Sequence, residues 1–287
     1  MNAIEIRGLN KEYPGFSLKN INLTLPSGSI MGLVGENGAG KSTTIKLIMN
    51  AIPRDSGTVY VLGTDNQSPE FNAVKNDIGI VLDEAYFPEV LNPQNVNSIM
   101  KNTYENWDEK CYFDYIKKFS LPLKKAFKDF SRGMKMKLAL AVALSHDPKL
   151  LVLDEATSGL DPIVRDEILD IFNDFTRDES HSVLLSSHIV SDLEKICDYI
   201  AFIHNGSLLF CEEKDKLLEE HSVVRMSKAD FEAIPKNSVM GSKKTDYGVE
   251  ALVMKSALKN AASGTLKAEH TSIEDIILFL AKGDNKQ

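Results

Sequence analysis

Apolar and polar residues alternate at the start of the chain. "AIEIRGL" (Ala3–Leu9) and "FSLKNINLTL" (Phe16–Leu25) read as half-buried antiparallel strands. "SIMGLVG" is a short apolar run closed by glycine, and "KSTTIKLIMN" after it has helical spacing. "GTVYVLG" and "DIGIVLD" predict two more strands. From Pro93 to about Ser145 the period turns helical, in "NPQNVNSIMKNTYENW", "DEKCYFDYIKKFS" and "SRGMKMKLALAVALS". "KLLVLDE" is almost wholly apolar, as a strand covered on both faces is. "DPIVRDEILDIFNDFTRD" predicts a helix with Pro162 at its first position behind the cap Asp161. A strand ("HSVLLSS"), a helix ("HIVSDLEKIC") and an Asn-Gly hairpin ("YIAFIHNGSLLFCE") follow. This alternation predicts an α/β fold with a parallel-sheet core, an antiparallel β portion and a helical insertion at about residues 84–145.

Beyond Glu212 the pattern changes. A charged helix, "EEKDKLLEEH", leads into short strands and polar turns, and "TSIEDIILFLAKG" closes the pattern. Thr271 and Glu274 fit a capping box ahead of an apolar run, and Gly283 fits a helix stop. The expected division is a main domain, 1–220, and a small C-terminal α+β extension, 221–287, that adds dimer contact.

Of 287 residues, 43% are hydrophobic and 26% charged, which is a folding composition. The net charge of −8 argues against bulk binding of nucleic acid. Cys111, Cys197 and Cys211 lie far apart, as reduced cytosolic thiols do, without metal-ligand spacing. The N-terminus lacks the form of a secretory signal, and the apolar runs are too short to span a membrane. The chain is expected to be soluble, with any membrane spans supplied by another chain.

The candidate chemistry starts at "GENGAGKST". Gly35-x-x-x-x-Gly40-Lys41-Ser42 follows a predicted strand and opens a predicted helix, the setting a phosphate-binding loop needs. Glycines there let successive N–H groups turn inward around phosphate oxygens, at the positive end of a helix. Asn37, Gly38 and Ala39 complete the loop. Lys41 adds a full charge, Ser42 offers an oxygen to Mg²⁺, and Thr43 offers a bond at the helix start. In "LLVLDEATSGLD" an apolar strand ends on Asp154 and Glu155, where open α/β sheets bind ligands. Asp154 suits Mg²⁺, and Glu155 suits the orientation or deprotonation of a water.

With "FSRGM", "SGLD" and "SSH", these segments follow an order and spacing that resemble the nucleotide-binding subunit of an ATP-binding cassette transporter over about residues 2–220. Within that family the variant resembles the bacterial ABC-2 exporters. The resemblance implies a RecA-like P-loop NTPase core that hydrolyses ATP with Mg²⁺. It implies that Tyr13 stacks on adenine. It implies that the Ser131, Arg132, Gly133 and Met134 segment serves the nucleotide held by the other subunit of a homo- or heterodimer. His188 would then face the γ-phosphate and the water, and Asp161 the dimer interface. Arg132 and Met134 depart from the usual Leu-Ser-Gly-Gly-Gln; Arg132 is either a phosphate contact or a solvated charge. Asp83 stands where the family has glutamine, and is expected to face the metal with Ser42 and Asp154.

The implied partners are integral membrane permease subunits on separate chains, with the cassette on the cytoplasmic face, driving export of a peptide, antibiotic or lipid-like cargo. The groove for them is expected around Asp83–Pro93 and the insertion. Its aromatics, Tyr86, Phe87, Tyr104, Trp107, Tyr112, Phe113 and Tyr115, are read as mostly core. The alternative is a soluble regulatory ATPase of the same class. A chromosome-maintenance ATPase would need a long coiled coil, a translation factor two cassettes, and a GTPase a guanine signature. None of these is present.

Overall fold

The computed structural model describes residues 1–83, 87–246, 248–258 and 271–282. Two compact units divide the chain, Met1–Cys211 and Glu212–Gln287.

In the first unit β1 (Asn2–Tyr13) and β2 (Phe16–Pro26) pair antiparallel, closed by Tyr13 opposite Phe16. β3 (Ile30–Val34) runs into the glycine loop and α1 (Lys41–Ile48). β4 (Ser56–Val61) and β5 (Thr64–Asp65) extend the antiparallel part, and α2 (Phe71–Val74) precedes β6 (Ile78–Val81). The insertion holds α3 (Pro93–Met100), α4 (Glu109–Lys118) and α5 (Arg132–Leu144). β7 (Leu150–Asp154), α6 (Pro162–Phe175), β8 (Ser182–Ser187), α7 (Val190–Ile196), β9 (Tyr199–His204) and β10 (Ser207–Glu213) follow. The strands form one sheet in the order β5-β4-β1-β2-β10-β9-β3-β8-β7-β6.

Every residue of β3, β7 and β8 is buried, so both faces of the central parallel strands are covered. Parallel register sets Val34 beside Ser187 and Asp154 beside Ser186. The C-terminal ends of three neighbouring strands therefore open at one edge, and each leads into a segment singled out in the sequence.

The second predicted insertion helix is α4, but the first is shorter than its pattern. α3 ends at Met100, where the backbone tightens into three-residue bonds, Asn102 N–H to Ile99 O at 3.0 Å and Thr103 N–H to Met100 O at 2.9 Å, and the Asn102 and Thr103 side chains add bonds to Ser98 O and Ile99 O. Its start is fixed by a reciprocal box between Asn92 and Asn95. No helix among the described residues is long and apolar enough to cross a membrane.

The second unit contains α8 (Lys214–Glu220), β11 (His221–Met226), α9 (Lys228–Ala233), β12 (Val239–Thr245), β13 (Gly248–Met254), α10 (Lys255–Leu258) and α11 (Ile273–Lys282). Its antiparallel sheet has the order β11-β13-β12. α8 packs on β11, α10 and α11, which places it in this unit rather than in the main domain. The cap of α11 differs from the expected one. Ser272 and Asp275 exchange the two capping bonds, at 3.0 and 3.1 Å. Thr271 instead turns inward, where Val223 N–H donates to its Oγ1 at 2.8 Å. Gly283 lies outside the described residues.

Candidate functional site

The glycine loop is held by its neighbours. Gly40 has φ +115°, and a Cβ there would sit 2.5 Å from Leu18 Cδ2. At Gly35 a Cβ would meet the Ile203 carbonyl at 2.5 Å. Gly206, in the Asn-Gly turn between β9 and β10, donates its N–H to Ala39 O at 3.1 Å. That brace was not foreseen; the Asn-Gly pair announced a turn, but only the sheet order brings the turn to the loop. Asn37 and Gly38 are exposed at the rim, while Ser42 and Thr43 are half-buried in the first turn of α1.

Lys41 is 5% exposed. Its Nζ donates to Gly35 O at 2.8 Å and pairs with Glu155 Oε1 at 3.2 Å. The other oxygen of Glu155 takes a hydrogen bond from His188 Nδ1–H at 2.6 Å. One carboxylate thus joins the ends of β3, β7 and β8. Glu155 has φ +52°, an uncommon conformation for a residue with a side chain and one that clusters at functional sites. Its N–H is held by the carbonyl and the hydroxyl of Ser186, both at 3.1 Å.

The same hydroxyl donates to Asp154 Oδ1 at 2.5 Å. Ser186 thereby ties the two acids together, a role the sequence reading missed. The available signal was a pair of serines, Ser186 and Ser187, inside an otherwise apolar strand. Asp154 is 4% exposed, and among the described residues no cation pairs with it. A buried carboxylate in that condition favours a cation. No cluster of three or more His, Cys, Asp or Glu among the described residues is arranged for a metal. Ser42 and Asp154 are hard oxygen donors and few in number. That suits Mg²⁺, which keeps waters and shares substrate phosphates rather than filling an all-protein cage.

Tyr13 is 42% exposed. It lines a cleft of about 540 Å³ with Glu12, Gly15, Phe16, Ser17, Lys19, Asn205 and Gly38 of the loop, a volume in the range of small-molecule sites. The Lys11 ammonium stands 5.4 Å from the centre of the Tyr13 ring. An aromatic face and the glycine loop therefore share one opening.

On the insertion side, Ser131 caps α5, its Oγ accepting from Met134 N–H at 3.3 Å. Gly133 lies near Val164 and Leu160. Asp161 caps α6, accepting from Val164 N–H at 3.1 Å. Asp83 accepts from Arg132 Nη2 at 3.4 Å; it stands against the capped end of α5. Of the insertion aromatics, Tyr112 is fully buried, Phe87 packs edge-on against Phe127 at 5.5 Å, and Tyr104 stacks on His146 at 4.0 Å. Tyr86 lies outside the described residues.

Comparison with known proteins identifies the family and the fold. The family profile described as ABC transporter matches residues 18–158. The chain is 31% identical over 226 residues to the ABC transporter ATP-binding protein YtrB of Bacillus subtilis, covering 78% of this chain and 76% of that protein. It is 33% identical to the lantibiotic transport ATP-binding protein SrtF of Streptococcus pyogenes, covering 74% and 91%. It is 34% identical to the bacitracin transport ATP-binding protein BcrA of Enterococcus faecalis, covering 72% and 68%. Among solved structures, an ATP-binding subunit of an ABC transporter superposes with a TM-score of 0.67 at 26% identity, over 75% of this chain and 91% of that one. A dimeric post-hydrolysis cassette, MJ0796 with ADP and Pi, shares the fold at 21% identity, with a TM-score of 0.66 over 73% of this chain and 98% of that one.

Proposed function

Because this chain belongs to the family of ABC transporter ATP-binding subunits, we propose that its ATP hydrolysis drives export of a peptide, antibiotic or lipid-like cargo through separate membrane subunits. Relatives that carry lantibiotic and bacitracin transport in their names support that cargo class. The observation that carries the catalytic assignment is the Glu155 carboxylate shared between Lys41 and His188.

In this reading ATP enters with its base against Tyr13 and its phosphates in the amide cage from Gly35 to Thr43. The phosphates compete with Glu155 for Lys41. Once Lys41 turns to them, Glu155 keeps only His188 and becomes available to accept a proton from the attacking water. His188 holds the carboxylate through Nδ1–H. Mg²⁺, held by Ser42 and Asp154, would neutralise charge on the phosphate oxygens. The Ser131–Met134 segment faces the nucleotide of a second cassette, identical or related, and Asp161 faces the interface between the two. Dimer closing and opening moves the membrane subunits on the cytoplasmic face.

Purification of the tagged chain from detergent-solubilised membranes tests the transporter reading. An integral membrane protein is expected in stoichiometric amount, in a preparation that hydrolyses ATP. A fully active chain recovered only from the soluble fraction would favour the regulatory ATPase instead.

A further inference from the structure

Asp83 and Arg132 are two of the positions at which this sequence departs from its family's usual residues, and the fold makes them partners. Asp83 lies two residues past the end of β6, and Arg132 is the first residue of α5. Arg132 Nη2 reaches Asp83 Oδ1 at 3.4 Å, with the side chains 54% and 56% exposed. The guanidinium also lies over the loop between Glu155 and Asp161. A Cβ on Gly159 would come within 2.8 Å of Arg132 Nη1 and 3.0 Å of Cζ. Gly159, at φ +66°, is the residue type that leaves room for it. One side chain, rooted at the capped start of α5, therefore reaches two further segments: the loop after β6 and the loop from the candidate catalytic acid to α6.

The exposure of the pair decides what it can do. An exposed ion pair contributes little to stability, because water screens it and two long side chains must be ordered to form it. Its value lies in where it holds the groups around it, and so weak a contact is easily exchanged. A carboxylate already facing a guanidinium is also a poorer candidate for a metal than Asp154, which is buried and has no cationic partner among the described residues.

We propose that Arg132 and Asp83 act as one positioning pair, in which Asp83 acts on hydrolysis through Arg132 and not as a ligand of Mg²⁺. The pair aligns the Ser131 cap and the Gly159 loop for the nucleotide of the second cassette. This rests on the two-cassette reading above. The expected metal role of Asp83 is the competing outcome.

The test is a charge-pair cycle in the full chain: Asp83→Ala, Arg132→Ala, the double variant, and the exchange Asp83→Arg with Arg132→Asp. Each single variant is expected to lower kcat by about three- to tenfold, the double variant by no more than either single, and the exchange to recover most of the loss. The Mg²⁺ concentration for half-maximal rate stays within twofold throughout. In a Glu155→Gln background, either single substitution weakens ATP-driven self-association measured by size exclusion, by the same factor. The melting temperature moves by no more than about 4 °C. If an alanine variant fails to fold, Asp83→Asn and Arg132→Gln carry the same cycle. Additive losses, or a raised Mg²⁺ requirement in Asp83→Ala alone, overturn the pairing. A wild type that neither hydrolyses ATP nor self-associates as Glu155→Gln overturns the two-cassette reading itself, which is a different result.

Discussion

Replacing Ser186 with alanine removes a hydroxyl that serves both acids at once. It donates to Asp154 Oδ1 at 2.5 Å and accepts from Glu155 N–H at 3.1 Å. The amide keeps the Ser186 carbonyl at 3.1 Å, so the loss falls on the carboxylate. A hydrogen bond to a charged group contributes about 1.5–3 kcal/mol. Asp154 is 4% exposed, so bulk water does not fill the gap, and among the described residues no cation pairs with it. For a unit of this size each kcal/mol moves the melting temperature by about 2–4 °C. The nucleotide-free variant should therefore melt about 3–12 °C below wild type in differential scanning calorimetry. Because the same bond orients a candidate metal ligand, the half-saturating Mg²⁺ concentration for hydrolysis should rise about 10- to 100-fold. A melting shift under 1 °C with an unchanged Mg²⁺ requirement would refute the role given to Ser186.

Two further outcomes follow from other parts of the fold. Tyr13→Ala should raise KM for ATP by about 5- to 150-fold, the equivalent of about 1–3 kcal/mol of stacking, with kcat at saturation kept and Tyr13→Trp restoring KM; an unchanged KM contradicts stacking. His146 is fully buried and stacked on Tyr104, with its Nδ1–H donating to Asn76 O at 3.0 Å. Burial holds its pKa below the usual imidazole value. The unfolded chain therefore takes up a proton near pH 6.5 that the folded chain refuses, and stability falls as pH drops below that value. Melting temperatures between pH 7.5 and 5.5 should decline more steeply for wild type than for His146→Gln, and parallel declines contradict this.

The parts of the site that were legible in the sequence are those carried by local pattern. An all-apolar run stopped by two acids is β7, buried throughout and ending on Asp154. The glycines of "GENGAGKST" mark a loop whose backbone and packing exclude side chains at Gly35 and Gly40. Contacts made across the fold were not legible. Lys41 meets Glu155, and Ser186 holds Asp154, only because β3, β8 and β7 lie side by side in parallel register. Arg132 meets Asp83 because α5 packs on β6. Small boundary differences have local causes. α3 ends in a tightened turn in which Asn102 and Thr103 N–H bond the last carbonyls. Thr271 is drawn off its expected cap by Val223. The charged helix α8 belongs with the second unit because its packing partners lie there, which no periodicity records.

ATP retention by Glu155→Gln tests the centre of the account most directly. The substitution removes the carboxylate's charge and its capacity to accept a proton, while Lys41 and the amide cage remain. Purified variant incubated with ATP and Mg²⁺ should hold the unhydrolysed nucleotide and run as a dimer on size exclusion, with wild type turning ATP over and running as a monomer. Hydrolysis by the variant at the wild-type rate, or failure to retain ATP at all, would contradict the assignment of Lys41 as the grip and Glu155 as the agent of cleavage.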